Sequence, residues 1–363
     1  MKSFNEVFED KTKYGTKIKT SEYCEMGAHL IIDQGQEQVA GYTDIEEGVF
    51  EEVPVIIFGD HTRVIKYVDK PFFLGADGVK VLRSKFKNAN YKYLYYALKN
   101  ARIPNTGYNR HFKWLKEVQI EYPDYRRQEN VVKILDKVSD LIETRQHEIK
   151  RLDDLIKARF VELFGNPVLN EKGWESNLLA QLTLKIGSGA TPKGGREAYQ
   201  EEGIALIRSM NVYNGKFEYK DLAHISDEQA AKLDNVIIKE SDVLLNITGA
   251  SVARSCVVPN QILPARVNQH VCIIRCKECI EPIFLNRLLI DDNYQKLLWE
   301  IAGSGATREA ITKQQVERLK IILPPIELQN QFAAFVAEVD KSKLMFQKLH
   351  QKLNILQQKA GDI

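Results

Sequence analysis

The chain has 363 residues, with 51 Lys and Arg against 49 Asp and Glu and a formal net charge of +2. This length favours two domains over a single core. The charge balance neither requires nor excludes nucleic acid, but a DNA-binding protein of this balance must concentrate its basic residues on one face.

The compartment can be predicted from the cysteines and from the apolar segments. Five cysteines, an odd number in a long chain, argue against a disulfide framework and fit a reducing environment. No apolar run approaches the roughly 20 residues of a membrane helix. The N-terminus lacks an apolar signal core, so the sequence predicts a cytoplasmic protein without a membrane partner.

The first part of the chain, residues 4–120, has the pattern of a β-rich domain. Short β-branched or aromatic runs at 53–58, 64–68 and 79–82 are bounded by Gly, Asp and Pro turn signals, which predicts strands. The tyrosine-rich residues 91–98 predict a helix that packs on this sheet.

Residues 128–164 contain neither Gly nor Pro and predict a long helix. Apolar residues alternate at spacings of three and four, as in a coiled-coil seam. The helix is expected to end at Gly165-Asn166-Pro167, a Gly-then-Pro terminator.

Residues 174–323 repeat the β-rich pattern, and a second long helix follows from Glu327. Strands are predicted at 236–238, 242–247 and 271–274, and helix at 282–299. The simplest way to bury both helical stripes is an antiparallel pair, although each helix could instead pack on its own domain. The predicted seam consists of Ile134, Val138, Leu141, Leu152, Leu155, Phe335, Val339, Phe346, Leu349 and Leu353.

The end of the chain repeats its middle at a constant offset of 201 residues. Leu115 matches Val316, and Ile120, Pro123 and Gln128 match identical residues in the second copy. Two strand–proline–helix units, each closing one half of the chain, indicate two similar halves. The predicted fold is therefore α+β and pseudo-twofold, with β-rich domains at 1–122 and 167–323 and long antiparallel helices at 123–166 and 324–363.

Cys272, Cys276 and Cys279 have the spacing of a three-cysteine iron–sulfur motif, or of a zinc site with His270 as fourth ligand. Two of the cysteines lie in or beside a predicted strand, however, and free cysteine is a common buried residue. Structural thiols are the favoured interpretation, and no metal site is predicted.

Asp124, Glu148 and Lys150 superficially match the carboxylate–lysine core of metal-dependent nucleases. That core needs its residues on adjacent strands, whereas Glu148 and Lys150 lie inside a strong helical pattern. A helix start and a charged helix surface are the favoured interpretation. No catalytic residue is predicted.

The Gly-rich residues 189–196 lack the Lys-Ser/Thr pair of a nucleotide-binding loop, and Pro192 interrupts them. Such a loop could lie along a DNA phosphate backbone, through its N–H groups and its cations. An ordinary surface loop is an equally good interpretation.

Polar loops rich in Asn, Gln and Arg, the residues that pair bidentately with base edges, occur in both halves. Each single loop is more often ordinary surface than a base reader. The candidate DNA-contacting residues are Gln36, His61, Thr62, Arg63, Tyr108, Asn109, Arg110, Thr191, Lys193, Arg196, Arg208, Asn211, Asn246, Thr248, Arg254, Asn268, Gln269 and Arg308.

The chain resembles the specificity subunit of type I restriction–modification enzymes. Trp174 with residues 182–192 resembles the opening of a target recognition domain, and residues 204–211, 242–249 and 267–270 resemble its middle. The exit of such a domain into the helix is resembled by residues 305–311 and by residues 319–325 with Gln329. The junction between the two halves is resembled by residues 163–167 together with residues 172–174. The first domain lacks the Trp-containing opening and the Gly-x-Thr-Pro loop.

This resemblance implies a non-catalytic scaffold for adenine-N6 DNA methylation. Each recognition domain would read one part of a bipartite, asymmetric target in double-stranded DNA, and the helices would fix the spacer between the parts. The helices would also dock two methylation subunits, and restriction subunits would join the larger complex. S-adenosylmethionine, ATP and Mg²⁺ would belong to those partners, with no cofactor in this chain. The alternatives are a stand-alone metal-dependent nuclease and a coiled-coil scaffold without DNA readout.

Overall fold

The computed structural model describes residues 1–75, 77–191, 195–303 and 309–361, without the side chains of residues 196, 198 and 356–361. The described part of the first half contains nine short strands and four α-helices. They are β1 (Lys2–Ser3), α1 (Phe4–Val7), β2 (Phe8–Asp10), β3 (His29–Ile32), β4 (Gly41–Thr43), β5 (Val55–Gly59), β6 (Ile65–Val68), β7 (Phe72–Leu74), β8 (Val79–Ser84), α2 (Tyr91–Lys99), α3 (Phe112–Leu115), β9 (Gln119–Ile120) and α4 (Tyr125–Phe164).

The second half has the same kinds of element in a similar order. They are β10 (Ser176–Leu178), α5 (Leu179–Leu182), β11 (Thr183–Ser188), β12 (Ile204–Ile207), β13 (Val212–Tyr213), β14 (Lys216–Phe217), β15 (Ala223–Ile225), α6 (Asp227–Ala231), β16 (Val243–Asn246), β17 (Ser255–Val257), β18 (Ala265–Val267), β19 (Val271–Cys276), α7 (Pro282–Leu289), α8 (Asp292–Gly303), α9 (Lys313–Glu317), β20 (Lys320–Ile322) and α10 (Ile326–Gly361).

The two β-domains share the topology of three sheets, and the second domain also contains the two-stranded sheet β13-β14. The first has a four-stranded sheet in the order β2-β8-β5-β6, a three-stranded sheet β4-β3-β7, and the pair β1-β9. The second has β11-β19-β16-β17, β15-β12-β18 and β10-β20 in the same roles. The middle strand of each three-stranded sheet also pairs in parallel with an edge strand, β3 with β7 and β12 with β18. The predicted repeat therefore extends from the helices through both β-domains.

The alternating direction of the buried side chains along β5 explains how each domain is layered. Side chains of successive strand residues point to opposite faces. Ile56 and Phe58 pack towards α2, whereas Val55 and Ile57 join a core with the three-stranded sheet. In the second domain, β16 divides its residues in the same way between α7 and the other sheet. Each central strand is therefore buried on both faces and reads as a continuous apolar run.

A buried glutamine marks the first turn of each long helix. Gln128 Nε2 donates to the Pro123 carbonyl and Gln329 Nε2 to the Pro324 carbonyl, both at 2.8 Å. Gln329 Oε1 also accepts from the backbone N–H of Glu281 at 2.9 Å. The sequence repeat around these glutamines thus encodes a repeated entry into the helix.

The chain forms two compact units. The first contains residues 1–147 together with 347–363, and the second contains residues 148–346. Both long helices contribute to both units. The helices begin within two residues of the predicted positions 123 and 324. The units divide each helix, so the four predicted domain ranges stay a prediction.

Within the second unit the helices pair antiparallel. Phe160 and Phe164, near the end of α4, pack on Phe332 near the start of α10. Further along, Lys343 Nζ lies 2.6 Å from Asp153 Oδ1. This confirms the antiparallel pair for the segments that the unit contains.

The predicted seam is only partly buried. Val339 is buried, and Leu152 and Phe335 are half-buried against the same core. Val138, Phe346 and Leu353 are also half-buried. The prediction is wrong for the exposed residues Ile134, Leu141, Leu155 and Leu349.

The buried stripe of α4 is rotated because this helix has more than one neighbour. In the second unit the stripe runs through Ile156, Phe160 and Phe164, and Phe160 also meets Phe284 of α7. In the first unit Leu135 is buried, and Asp136 accepts from Tyr96 and pairs with Lys92 of α2. The alternative packing, each helix on its own domain, is therefore also present.

Two further predictions need correction. Residues 236–238 form no strand, because a 3-10 turn covers Asp234–Val236 and only Ile237 makes an isolated bridge. The predicted helix at 282–299 is two helices. Ile290 and Asp291 separate them, and Asp291 Oδ1 accepts from the backbone N–H groups of Asn293 and Tyr294. Among the described residues, no helix combines the length and apolarity that a bilayer crossing requires.

Candidate nucleic-acid interface

Four loops of the first β-domain meet at one end of its sheets, and Gln34 links three of them. Its Nε2 donates to the Asp77 carbonyl at 3.0 Å, and its Oε1 accepts from the His61 N–H at 3.1 Å. The Thr62 hydroxyl donates to the Gln34 carbonyl at 2.6 Å. The loops after β3, β5 and β7 are thereby held together.

The loop before α3 joins this cluster through Asp60 and His111. Asp60 Oδ1 accepts from the Phe112 N–H at 2.7 Å, and the Asp60 carbonyl accepts from the His111 N–H at 2.8 Å. The His61 ring stacks on Tyr108 at a centroid distance of 4.8 Å. Tyr108 is still 88% exposed, so this aromatic ring is both positioned and accessible.

The predicted contact residues of the first domain all lie on these loops. Gln36, Thr62, Asn109 and Arg110 are exposed, and His61 and Arg63 are half-buried. Arg63 donates from Nη1 to the Ile103 carbonyl at 3.2 Å, which braces the β5–β6 turn. The supporting residues Gln34, Asp60 and His111 were not among the predicted residues, although each lies in a polar segment.

The equivalent loops of the second domain are joined by backbone bonds. Gly249 N–H donates to the Glu309 carbonyl at 2.9 Å, which links the β16–β17 loop to the segment before α9. Asn268 N–H donates to the Ile207 carbonyl at 3.1 Å, which links the β18–β19 turn to the end of β12. The Ile247 N–H donates to the His270 carbonyl at 3.0 Å and joins these two pairs of loops, so the described parts of the same four loops converge in both halves.

Three predicted base readers of this domain are buried instead. Asn211 and Asn246 have no exposed surface, and Asn268 is 5% exposed. Asn211 Nδ2 donates to the Glu218 carbonyl, and Asn246 Nδ2 to the Ser209 carbonyl, both at 2.9 Å. Short amide side chains bond readily to nearby backbone groups, and these residues hold loops together in this way. The prediction that they contact DNA is wrong because their side chains are buried.

Polar groups do remain accessible around these loops. Thr191 and Gln269 are exposed, and Thr248, Arg208 and Arg254 are half-buried. The two guanidinium groups lie over aromatic rings, Arg208 over Tyr199 at 5.2 Å and Arg254 over Tyr213 at 4.6 Å. Tyr199 and Tyr213 were not among the residues predicted from the sequence. Lys193, Arg308 and the Arg196 side chain lie outside the described residues.

Gly189 accounts for part of the Gly-rich segment 189–196. A Cβ at this position would lie 1.8 Å from the Val267 carbonyl oxygen, and the Gly189 N–H donates to the Asn268 carbonyl at 3.1 Å. Close approach of two backbones therefore requires glycine here. Gly189 therefore supports the β18–β19 turn.

We expect Gly189→Ala to displace that turn, at a cost of about 1–3 kcal/mol of unfolding free energy, as for other overpacked sites. Gly187→Ala is the matched control, because a Cβ there meets no atom within 4 Å. Chemical denaturation of both variants measures the difference. Equal midpoints for the two variants would contradict the close approach.

The other candidate chemistry does not assemble among the described residues. Cys272 is buried, and burial raises the pKa of its thiol to about 12. No group of three His, Cys, Asp or Glu in the described part of the chain is placed to hold a metal ion. Glu148 and Lys150 lie within α4, and Asp124 Oδ1 accepts from the Arg127 N–H at its first turn. These three residues do not form the strand-borne core of a nuclease.

Comparison with known proteins gives one family for nearly the whole chain. A family model described as the type I restriction modification DNA specificity domain matches residues 1–153 and 171–356. The putative type I restriction enzyme MjaX specificity subunit of Methanocaldococcus jannaschii is 24% identical over 314 residues, 77% of this chain and 68% of that protein. The EcoR124I/EcoR124II specificity subunit of Escherichia coli is 21% identical over 350 residues, 92% of this chain and 84% of that protein.

Solved structures show the same fold. A type I restriction–modification S subunit from M. genitalium has a TM-score of 0.61 at 16% identity, covering 99% of this chain and 94% of that one. A chain from a study of complex assembly and conformational transition of the type I R-M system has a TM-score of 0.55 at 18% identity, covering 99% and 95%.

Proposed function

The chain belongs to the type I restriction–modification DNA specificity family, and we propose that it reads a bipartite, asymmetric DNA target through the loop clusters of its two β-domains. One observation carries this proposal. The same four loops converge in both domains, on the same sheet topology, but they present different side chains. Two similar frames with different reading surfaces suit a target with two different half-sites.

The accessible groups fit recognition in the major groove. Amide and guanidinium groups pair with base edges, and hydroxyl and backbone N–H groups position phosphates. The first cluster offers Gln36, Arg110 and the stacked Tyr108, and the second offers Gln269, Thr191 and Thr248. These side chains are the proposed DNA contacts.

The long helices are the proposed docking surface for two methylation subunits. Several apolar side chains on them stay exposed after the chain has folded, and such residues favour burial against a partner. They include Ile134, Leu141, Leu155, Leu344 and Leu349. We propose that helix length also sets the spacer between the half-sites.

The chemistry of modification belongs to the partners in this proposal. The methylation subunits bring S-adenosylmethionine for adenine-N6 methylation, and restriction subunits, where present, use ATP and Mg²⁺. This chain supplies sequence selection and assembly, and it contributes no catalytic residue.

Methylome sequencing of cells that carry the chain with its methylation subunits tests the proposal. We expect one methylated motif with two unlike defined parts separated by a fixed spacer, and no such motif when the chain is omitted. A scaffold without DNA readout would leave no sequence-specific motif, although the complex still forms. DNA cleavage by the purified chain with Mg²⁺ alone would support the nuclease alternative.

A further inference from the structure

Gln269 lies at the tip of a turn whose backbone is fixed on both sides. In this β18–β19 turn, Asn268 Oδ1 accepts from the His270 N–H at 3.0 Å. The Asn268 backbone bonds to Ile207 and Gly189 on neighbouring segments, each at 3.1 Å. The Gln269 side chain, in contrast, is exposed. An accessible amide thus stands on a rigid support.

The amide itself is held at both of its polar atoms. The Thr191 hydroxyl donates to Gln269 Oε1, and Gln269 Nε2 lies 3.2 Å from His270 Nε2. The amide nitrogen can only donate, so His270 Nε2 accepts. In the neutral ring Nδ1 then carries the proton and donates to the Thr248 hydroxyl oxygen at 2.5 Å. This amide is thus oriented by His270 of the same turn and by Thr191 and Thr248 of two other segments.

Among the partners that the described residues provide, the amide keeps one N–H and one oxygen lone pair unused. An amide has two N–H donors and two acceptor sites, and the two contacts use one of each. The free pair is a donor beside an acceptor. In the major groove adenine presents the complementary pattern, with N7 as acceptor and the N6 amino group as donor. Guanine presents two acceptors, N7 and O6, and would oppose the amide oxygen.

We propose that Gln269 reads an adenine by a bidentate contact in the half-site of the second β-domain, with Thr191, His270 and Thr248 as positioning residues. This proposal rests on the proposed function and names the base that one side chain selects. Holding the amide before DNA arrives lowers the entropy lost on binding and disfavours the other amide orientations.

The test is the methylated motif of the full complex, compared between wild type and Gln269→Ala. We expect one A·T position of one half-site to lose about 5- to 150-fold of its discrimination, which corresponds to the roughly 1–3 kcal/mol of a good bidentate contact. All other positions and the spacer should be retained. Gln261→Ala is the matched control, because Gln261 is also an exposed glutamine. It lies in the 3-10 turn between β17 and β18, whereas Gln269 follows β18.

The positioning residues have their own readout. Thr191→Val removes the hydroxyl that holds Gln269 Oε1, so it should partly reduce base discrimination at the same position of the motif. Thr191→Ser keeps a hydroxyl and should retain that discrimination. A structural effect alone would lower methylation at every site without changing base preference, which would contradict the positioning role.

The outcomes separate the two proposals. A specific motif that Gln269→Ala leaves unchanged at every position, or relaxes at a G·C position, overturns the adenine contact and leaves the proposed function intact. The absence of any specific motif with the wild-type chain overturns both.

Discussion

Phe332→Ala is expected to lower the free energy of unfolding of the unit formed by residues 148–346 by about 3–5 kcal/mol. Phe332 has no exposed surface, and its ring centroid lies 5.6 Å from that of Phe160 and 5.4 Å from that of Phe164. Truncation leaves a cavity in an aromatic cluster where the helix pair meets the domain core. Since a domain is usually stable by 5–15 kcal/mol, this is a large fraction of the total.

Denaturant unfolding of the purified full chain measures this effect. Leu344→Ala is the matched control, because Leu344 lies on the same helix and is 51% exposed. Its effect should stay within about 0.5 kcal/mol, as for most surface substitutions. If the two variants unfolded at the same denaturant concentration, the aromatic cluster would not stabilise the helix pair as described.

Exchanging residues 183–311 for those of a relative with another target is expected to change one half-site completely and leave the other half-site unchanged. The exchanged block contains all the described loops of the second cluster. It leaves in place the pair β10-β20, helix α9 and both long helices, which connect the domain to the rest of the chain. The readout is the methylated motif of cells that carry the hybrid chain with the proposed methylation subunits.

The matched control for this exchange is the equivalent block of the first half, which should alter only the opposite half-site. Both hybrids should keep the original spacer, because the helices are untouched. A hybrid that changed both half-sites, or that changed the spacer alone, would contradict separate reading by two domains.

The sequence predicted the elements that have strong periodicity. Helix α4 begins at Tyr125 and α10 at Ile326, separated by the same 201 residues as the sequence repeat. The central strands of both domains were predicted from their apolar runs. The shared sheet topology was not predicted in detail, because most strands have only two to four residues and their pairing depends on distant partners.

The site was harder to predict than the fold. Asn246, the last residue of β16, and Gln269, in the β18–β19 turn, both carry polar amides, yet Asn246 is fully buried and Gln269 is exposed. The same side chain chemistry serves a base edge or a neighbouring carbonyl, and only the folded position decides between them. The seam prediction was wrong at Leu155 for a related reason. The spacing of apolar residues gives the period of the apolar stripe along a helix, but the number of elements that pack against the helix sets the width and direction of that stripe.

The strand pairs β1-β9 and β10-β20 give each β-domain neighbouring points of entry and exit. Lys2 is paired with Ile120, and Ser176 with Ile322, so the two ends of each domain lie one strand spacing apart. A domain with adjacent ends can be replaced as a cassette without redirecting the chain around it. Recombination at two points in the gene can thus exchange one β-domain, and with it one part of the DNA specificity, while the helical frame remains unchanged.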